Sequence, residues 1–242
     1  MASAADRLKN AVEVEFPDKV QEAFGGRGLV AVISYGSYVQ GSFRPGVSDV
    51  NVLVLLAEPD PEGLLKLSRS AGRLMRRHRI TPLVLSTAEF KRSSDVFPME
   101  YLDIKDRHRV LWGKDLTEEL SIDRRNLRHQ LEHQMRANLV ALRQLVLAAR
   151  GRRRLLGAEL KRWYGPVTAV FRGLLRLQDA DEVPTDPKEL VSRVNEVFGL
   201  EPGPFLELLA FRGGRSVDVN RLAADLLQRL AELTAIVDRM ES

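Results

Sequence analysis

The segment from Ile33 to Leu56, ISYGSYVQGSFRPGVSDVNVLVLL, sets a Gly-Ser turn, Gly36-Ser37, after one apolar run and Asp49-x-Asn51 at the head of the next. A Gly-Ser turn offers backbone N–H groups and a hydroxyl to phosphate oxygens, and a carboxylate on a neighbouring strand can hold a metal ion that bridges them. Side chains two apart on a strand share a face, so Asp49 and Asn51 can reach one ion while Val50 and Val52 point away. This equipment suits phosphoryl transfer, in which the protein positions a triphosphate and a divalent metal neutralises charge. Asn51 is the anomaly, because its amide oxygen can ligate a metal without contributing charge.

The elements around these residues can be read from pattern. Leu8, Val12, Phe16, Val20 and Phe24 recur every four residues, which predicts a helix over 6–24 that Pro17 kinks or divides. LVAVISYG and DVNVLVLL are continuous, β-branched runs, as in buried strands. PDPEGLLKLSRSAGRLMRRH starts at Asp-Pro and carries leucines at helical spacing, and ITPLVLS then gives a third strand, so a helix crosses over a sheet.

After Trp112-Gly113 helical periodicity takes over. Leu127, Leu131, Met135, Leu139, Leu142 and Val146 mark one face of a helix that Gly151 ends. The next helix runs from GRRRLL with an interruption at Gly165-Pro166, another starts at Asp186-Pro187 and stops at Gly199, and an amphipathic helix closes the chain. The expected fold class is α+β, a mixed sheet flanked by helices over 1–115 followed by a helical bundle over 116–242. The net charge of +4 is unevenly spread. Arg124 to Arg176 holds thirteen Lys/Arg against two Glu, whereas Leu177 to Ser242 holds seven basic and thirteen acidic residues. Arg124, Arg128 and Arg136 are therefore candidates to face a triphosphate or another anion.

On YGSYVQGS and SDVNVLVLL, the sequence resembles the nucleotidyltransferase superfamily, which includes polymerase beta, the aminoglycoside nucleotidyltransferases and minimal nucleotidyltransferase antitoxins. The resemblance covers about the first 115 residues and implies a Mg²⁺- or Mn²⁺-dependent transfer of a nucleoside monophosphate from a triphosphate to a hydroxyl of a small molecule, protein or RNA. It implies phosphate binding by Gly36 and Ser37, and a catalytic metal site at Asp49 and Asn51. The family pattern has three carboxylates. Here Asn51 stands in the second position and Thr81 or Pro82 in the third, with Glu100 and Asp103 as candidate substitutes. The rival reading is a nucleotide-binding or regulatory module with a degenerate active site; a third is an RNA-binding protein using the basic helices.

Composition narrows the classes further. With 44% hydrophobic residues the chain can bury a core, and with no cysteine it has neither disulfides nor thiolate chemistry. The charged N-terminus and the lack of a long apolar window predict a cytoplasmic protein with no membrane partner. His129 and His133 have zinc spacing but no evident third ligand, so a solvated helix face is the better account. Trp163 and Tyr164 read as bundle core, and the single FRGG as a loop.

Overall fold

The computed structural model describes residues 3–26, 28–40, 43, 48–178, 183–201 and 203–240. The chain divides into two compact units, one ending at Ile122 and the other beginning at Asp123. The fold is α+β, and among the described residues no helix is long and apolar enough to cross a membrane.

The first unit opens with α1 (Ala4–Asn10), a π-helical turn over Ala11–Glu15, and α2 (Phe16–Phe24). Pro17 does not divide the run: residues 4–24 stay helical, with αR backbone at both junctions, and the π-helical turn falls just ahead of Pro17. The sheet consists of β1 (Leu29–Tyr35), β2 (Val50–Leu56), β3 (Ile80–Ser86) and β4 (His108–Gly113), in the order β3-β2-β1-β4. β1 runs antiparallel to both β2 and β4, whereas β2 and β3 are parallel. The parallel pair requires a crossover, supplied by α4 (Pro61–His78). Asp60 caps that helix by accepting from Gly63 N–H at 2.9 Å, beside Pro61 in the first turn.

Both faces of the central strands are buried, which explains their uninterrupted apolar runs. Val32, Val50, Val52, Val54 and Leu56 pack with Phe16, Val20 and Phe24 of α2 and Leu67 and Ala71 of α4. Ala31, Ile33, Leu53 and Leu55 pack on the other face with Phe90, Tyr101 and Ile104. These last three come from α5 (Thr87–Arg92) and α6 (Pro98–Asp106). Neither helix was expected from pattern, nor was β4, because α5 spans fewer than two turns and the apolar residues of α6 and β4 form no clear stripe or alternation.

Among the described residues the regular elements of the second unit are all helices, α7 (Arg124–Ala149), α8 (Arg153–Leu177), α9 (Pro187–Phe198), α10 (Gly203–Arg212) and α11 (Val219–Arg239). Leu127, Leu131, Met135 and Leu142 form the buried stripe of α7, and Arg150 and Gly151 end it in left-handed conformations. The expected interruption at Gly165-Pro166 is absent, and α8 continues through Pro166. The lost hydrogen bond, worth about 3 kcal/mol in an isolated helix, is offset by burial of Trp163, Tyr164, Val167, Val170 and Phe171 on either side. Trp163 and Tyr164 are core residues, the indole N–H donating to the Asn138 carbonyl at 3.3 Å. Gly213 and Gly214, the end of FRGG, form the turn after α10.

Two glycines of α4 should respond oppositely to alanine. A methyl on Gly63 would lie 2.4 Å from the Phe24 ring, while a methyl on Gly72 meets nothing within 4 Å. Gly63→Ala is expected to destabilise the first unit by about 1–3 kcal/mol through overpacking, and Gly72→Ala to stabilise it by about 0.5–1 kcal/mol through helix propensity. Urea melts of the two variants check the pair of signs.

Candidate functional site

The Gly36-Ser37 turn follows β1, and Gly36 adopts φ +76°, in the left-handed region that glycine enters without a Cβ penalty. A methyl there would also stand 3.1 Å from Asn51 Nδ2, so the turn and the Asn51 amide are immediate neighbours. Ser37 begins the four-residue helix α3 (Ser37–Gln40), whose start is held by Val39 N–H donating to Gly36 O at 3.0 Å. Gly41 and Ser42, the second half of YGSYVQGS, lie outside the described residues.

Sheet register brings the other residues into line. Tyr35 of β1 pairs with Asn51 of β2, Asn51 with Thr81 of β3, and Tyr35 with His108 of β4. Register partners project on the same side, so Thr81, Asn51, Tyr35 and His108 form one row across that face of the sheet. Thr81, aligned from sequence with the third carboxylate, is the direct neighbour of Asn51. Among the described residues, the side chains of Ser37, Asn51 and Thr81 have no hydrogen-bond partner, and each is reached by solvent.

Asp49 lies just ahead of β2, and its Oδ1 accepts an ion pair from Arg79 Nη2 at 2.8 Å. Arg79 closes α4 in a left-handed conformation, φ 55° and ψ 39°, and its carbonyl accepts from Val50 N–H at 2.9 Å. Both ion-pair partners are about half exposed, so the contact contributes at most about 1 kcal/mol. Its importance is local charge. A resident divalent ion at Asp49 would have one anionic ligand, neutral Asn51 and Thr81 oxygens, and a guanidinium on the same carboxylate. Magnesium is usually held by one or two carboxylates together with substrate phosphates, so this set, with its one carboxylate already paired, does not fit an ion resident without nucleotide. Among the described residues no three His, Cys, Asp or Glu side chains group into a metal site, and 41–47 contains no acid.

Glu100 and Asp103 do fold back to this face. Both lie on α6 and act electrostatically on Tyr35, whose pKa is pushed up to about 12 by burial first and by these two carboxylates next. They reach the row at Tyr35 without forming a metal cluster with Asp49. Sequence reasoning also missed His108, whose Nε2 lies 2.7 Å from Asp115 Oδ2 and 3.1 Å from Thr117 Oγ1. No local pattern signals it, because its place in the row depends on β4 pairing with β1.

Arg124, Arg128 and Arg136 all lie on α7 of the helical unit. There Arg128 pairs with Glu132 and Arg136 with Asp238, each at 2.9 Å, so the excess positive charge of this helix is partly neutralised within its own unit. His129 and His133 are exposed on α7.

No protein-family profile and no curated protein matches the chain. Among solved structures, spectinomycin adenyltransferase from Enterococcus faecialis, crystallised with ATP and spectinomycin, matches 90% of this chain and 98% of its own, with a TM-score of 0.52 at 14% identity. A mutant MntA–HpeT toxin–antitoxin structure matches 44% of this chain and 77% of its own at 19% identity, TM-score 0.32. A toxin–antitoxin structure with AMP-PNP matches 42% and 77% at 21% identity, TM-score 0.29. The sheet and the first of these likenesses give this chain the fold of that adenyltransferase.

The raised Tyr35 pKa has a pH consequence. The folded state keeps the phenol proton that the unfolded chain releases near pH 10, so the stabilisation is fully present below about pH 10 and is lost as pH rises toward about 12. Tyr35→Phe is expected to flatten the decline in stability across that window, which denaturant melts at stepped alkaline pH would measure.

Proposed function

We propose that this chain is a nucleotide-binding protein of the nucleotidyltransferase fold, in which a guanidinium stands where a metal ion would otherwise neutralise phosphate charge. The observation that carries this reading is the Arg79–Asp49 ion pair at 2.8 Å, at the head of a strand whose next same-face residue is the neutral Asn51. Ser37, Asn51 and Thr81 supply accessible, unengaged polar groups to the phosphate oxygens, and Arg79 supplies planar charge-assisted hydrogen bonds. Crystallisation of the Enterococcus faecialis enzyme with ATP makes ATP the first nucleotide to examine. In this reading, binding is separated from transfer, because among the described residues no set of carboxylates gathers to hold two ions for in-line attack.

A second reading, metal-dependent transfer to an acceptor hydroxyl, is favoured by one observation: Glu100 and Asp103 lie close enough to raise the pKa of Tyr35, the register neighbour of Asn51. The two readings separate in calorimetry. ATP should bind the parent protein in EDTA, Arg79→Ala should weaken binding about tenfold through loss of a charge-assisted contact of roughly 1.4 kcal/mol, and Mn²⁺ should leave the melting temperature unchanged. Binding that requires Mn²⁺, with label transferred from ATP to an acceptor, would establish the second reading instead.

A further inference from the structure

A cavity of about 770 Å³ opens in the first unit on the sheet face opposite the Asn51 row. Its apolar lining comes from Leu8 of α1 and from Tyr38 and Phe43, whose rings meet edge to face with centroids 5.8 Å apart. Both aromatic residues pack against the apolar cluster that contains Val32 and Val52, which fixes the side of the sheet. The cations are Lys9, Arg77, Arg79 and Arg109, against one carboxylate, Glu13.

That carboxylate is already engaged. Glu13 Oε1 accepts from Tyr38 O–H at 3.1 Å and pairs with Arg109. Burial, followed by Glu13, pushes the Tyr38 pKa up to about 12, so the phenol remains a donor. Arg79 is paired with Asp49. Among the described residues, Lys9 and Arg77 have neither a hydrogen bond nor an ion pair to a carboxylate. Burial first, then Arg77, holds His78 below the usual histidine range, so at neutral pH it adds a neutral ring to the wall.

An aromatic floor beneath four cations, of which, among the described residues, Arg77 has no ion pair and Lys9 only the more distant charge of Asp6, selects an amphipathic anion. Arginine forks match phosphate oxygens in bidentate fashion, and the volume falls within the range of small-molecule sites. We propose that this cavity is a second anion site, for a small phosphate ester bearing an aromatic body, with Lys9 and Arg77 gripping the phosphate while the ring lies on Tyr38 and Phe43. It borders the proposed nucleotide site at Arg79, which lines both, but its phosphate grip is Lys9 and Arg77 and does not require nucleotide at the Gly36-Ser37 turn.

Calorimetry with phenyl phosphate and inorganic phosphate tests the assignment on the whole protein. Phenyl phosphate should bind the parent at least tenfold more tightly than inorganic phosphate. Lys9→Glu/Arg77→Glu should lower phenyl phosphate affinity at least tenfold, while Arg69→Glu/Arg73→Glu, a matched charge change elsewhere on α4, should leave it within twofold. Thermal melts confirm that both double variants are folded; if the first is not, Lys9→Ala/Arg77→Ala carries the comparison. Equal affinity for the two probes, equal loss in both charge-reversed variants, or no binding at millimolar phenyl phosphate would overturn the site. ATP binding in the proposed functional site can fail without altering any of these outcomes.

Discussion

Arg79 holds the head of β2 in two ways. Its carbonyl accepts from Val50 N–H, and its guanidinium pairs with Asp49 one residue earlier. The left-handed backbone that allows both costs about 1–2 kcal/mol in a non-glycine residue, and it lets α4 end abruptly so that β3 can start at Ile80. Because β3 runs parallel to β2, this corner sets the register that puts Thr81 beside Asn51 and, through β1, lines up Tyr35 and His108. The composition of the candidate site follows from where α4 stops.

The same corner sets the electrostatics. Two carboxylates on one face would repel each other and call for a cation, whereas here a single carboxylate meets a guanidinium built into the chain. Charge at the head of β2 is thus balanced within the protein. An arriving triphosphate would find a cation already present, half exposed, with its carboxylate partner bound only weakly. Glu100 and Asp103 sit farther along the row against Tyr35, where their charge makes the phenol harder to ionise.

The two faces of the sheet carry different chemistry on one scaffold. On the Asn51 face, small neutral polar groups stand beside the Gly36 turn; on the opposite face, aromatic rings lie under cations from α1, α4 and β4. Strand alternation generates this difference, since each step along β1 or β4 crosses the sheet: His108 joins the Asn51 row, and Arg109 reaches Glu13 on the other side.

The sequence by itself determined the strands at Leu29–Tyr35, Val50–Leu56 and Ile80–Ser86, the crossover helix, the principal helices of the second unit and the neighbouring positions of Gly36, Ser37, Asp49 and Asn51. These are local properties, carried by β-branched runs, helical spacing and Asp-Pro caps that act within a few residues. Tertiary structure decided what was not local. β4 and α6 carry no clear apolar alternation or stripe, α8 runs through Pro166 because packing outweighs one lost hydrogen bond, and the Asp49–Arg79 pair joins residues thirty positions apart. Asn51 could be read from sequence as a missing charge, but a partner for Asp49 could not, because charge balance depends on distance in space and the ion pair forms only after β2 and β3 lie side by side.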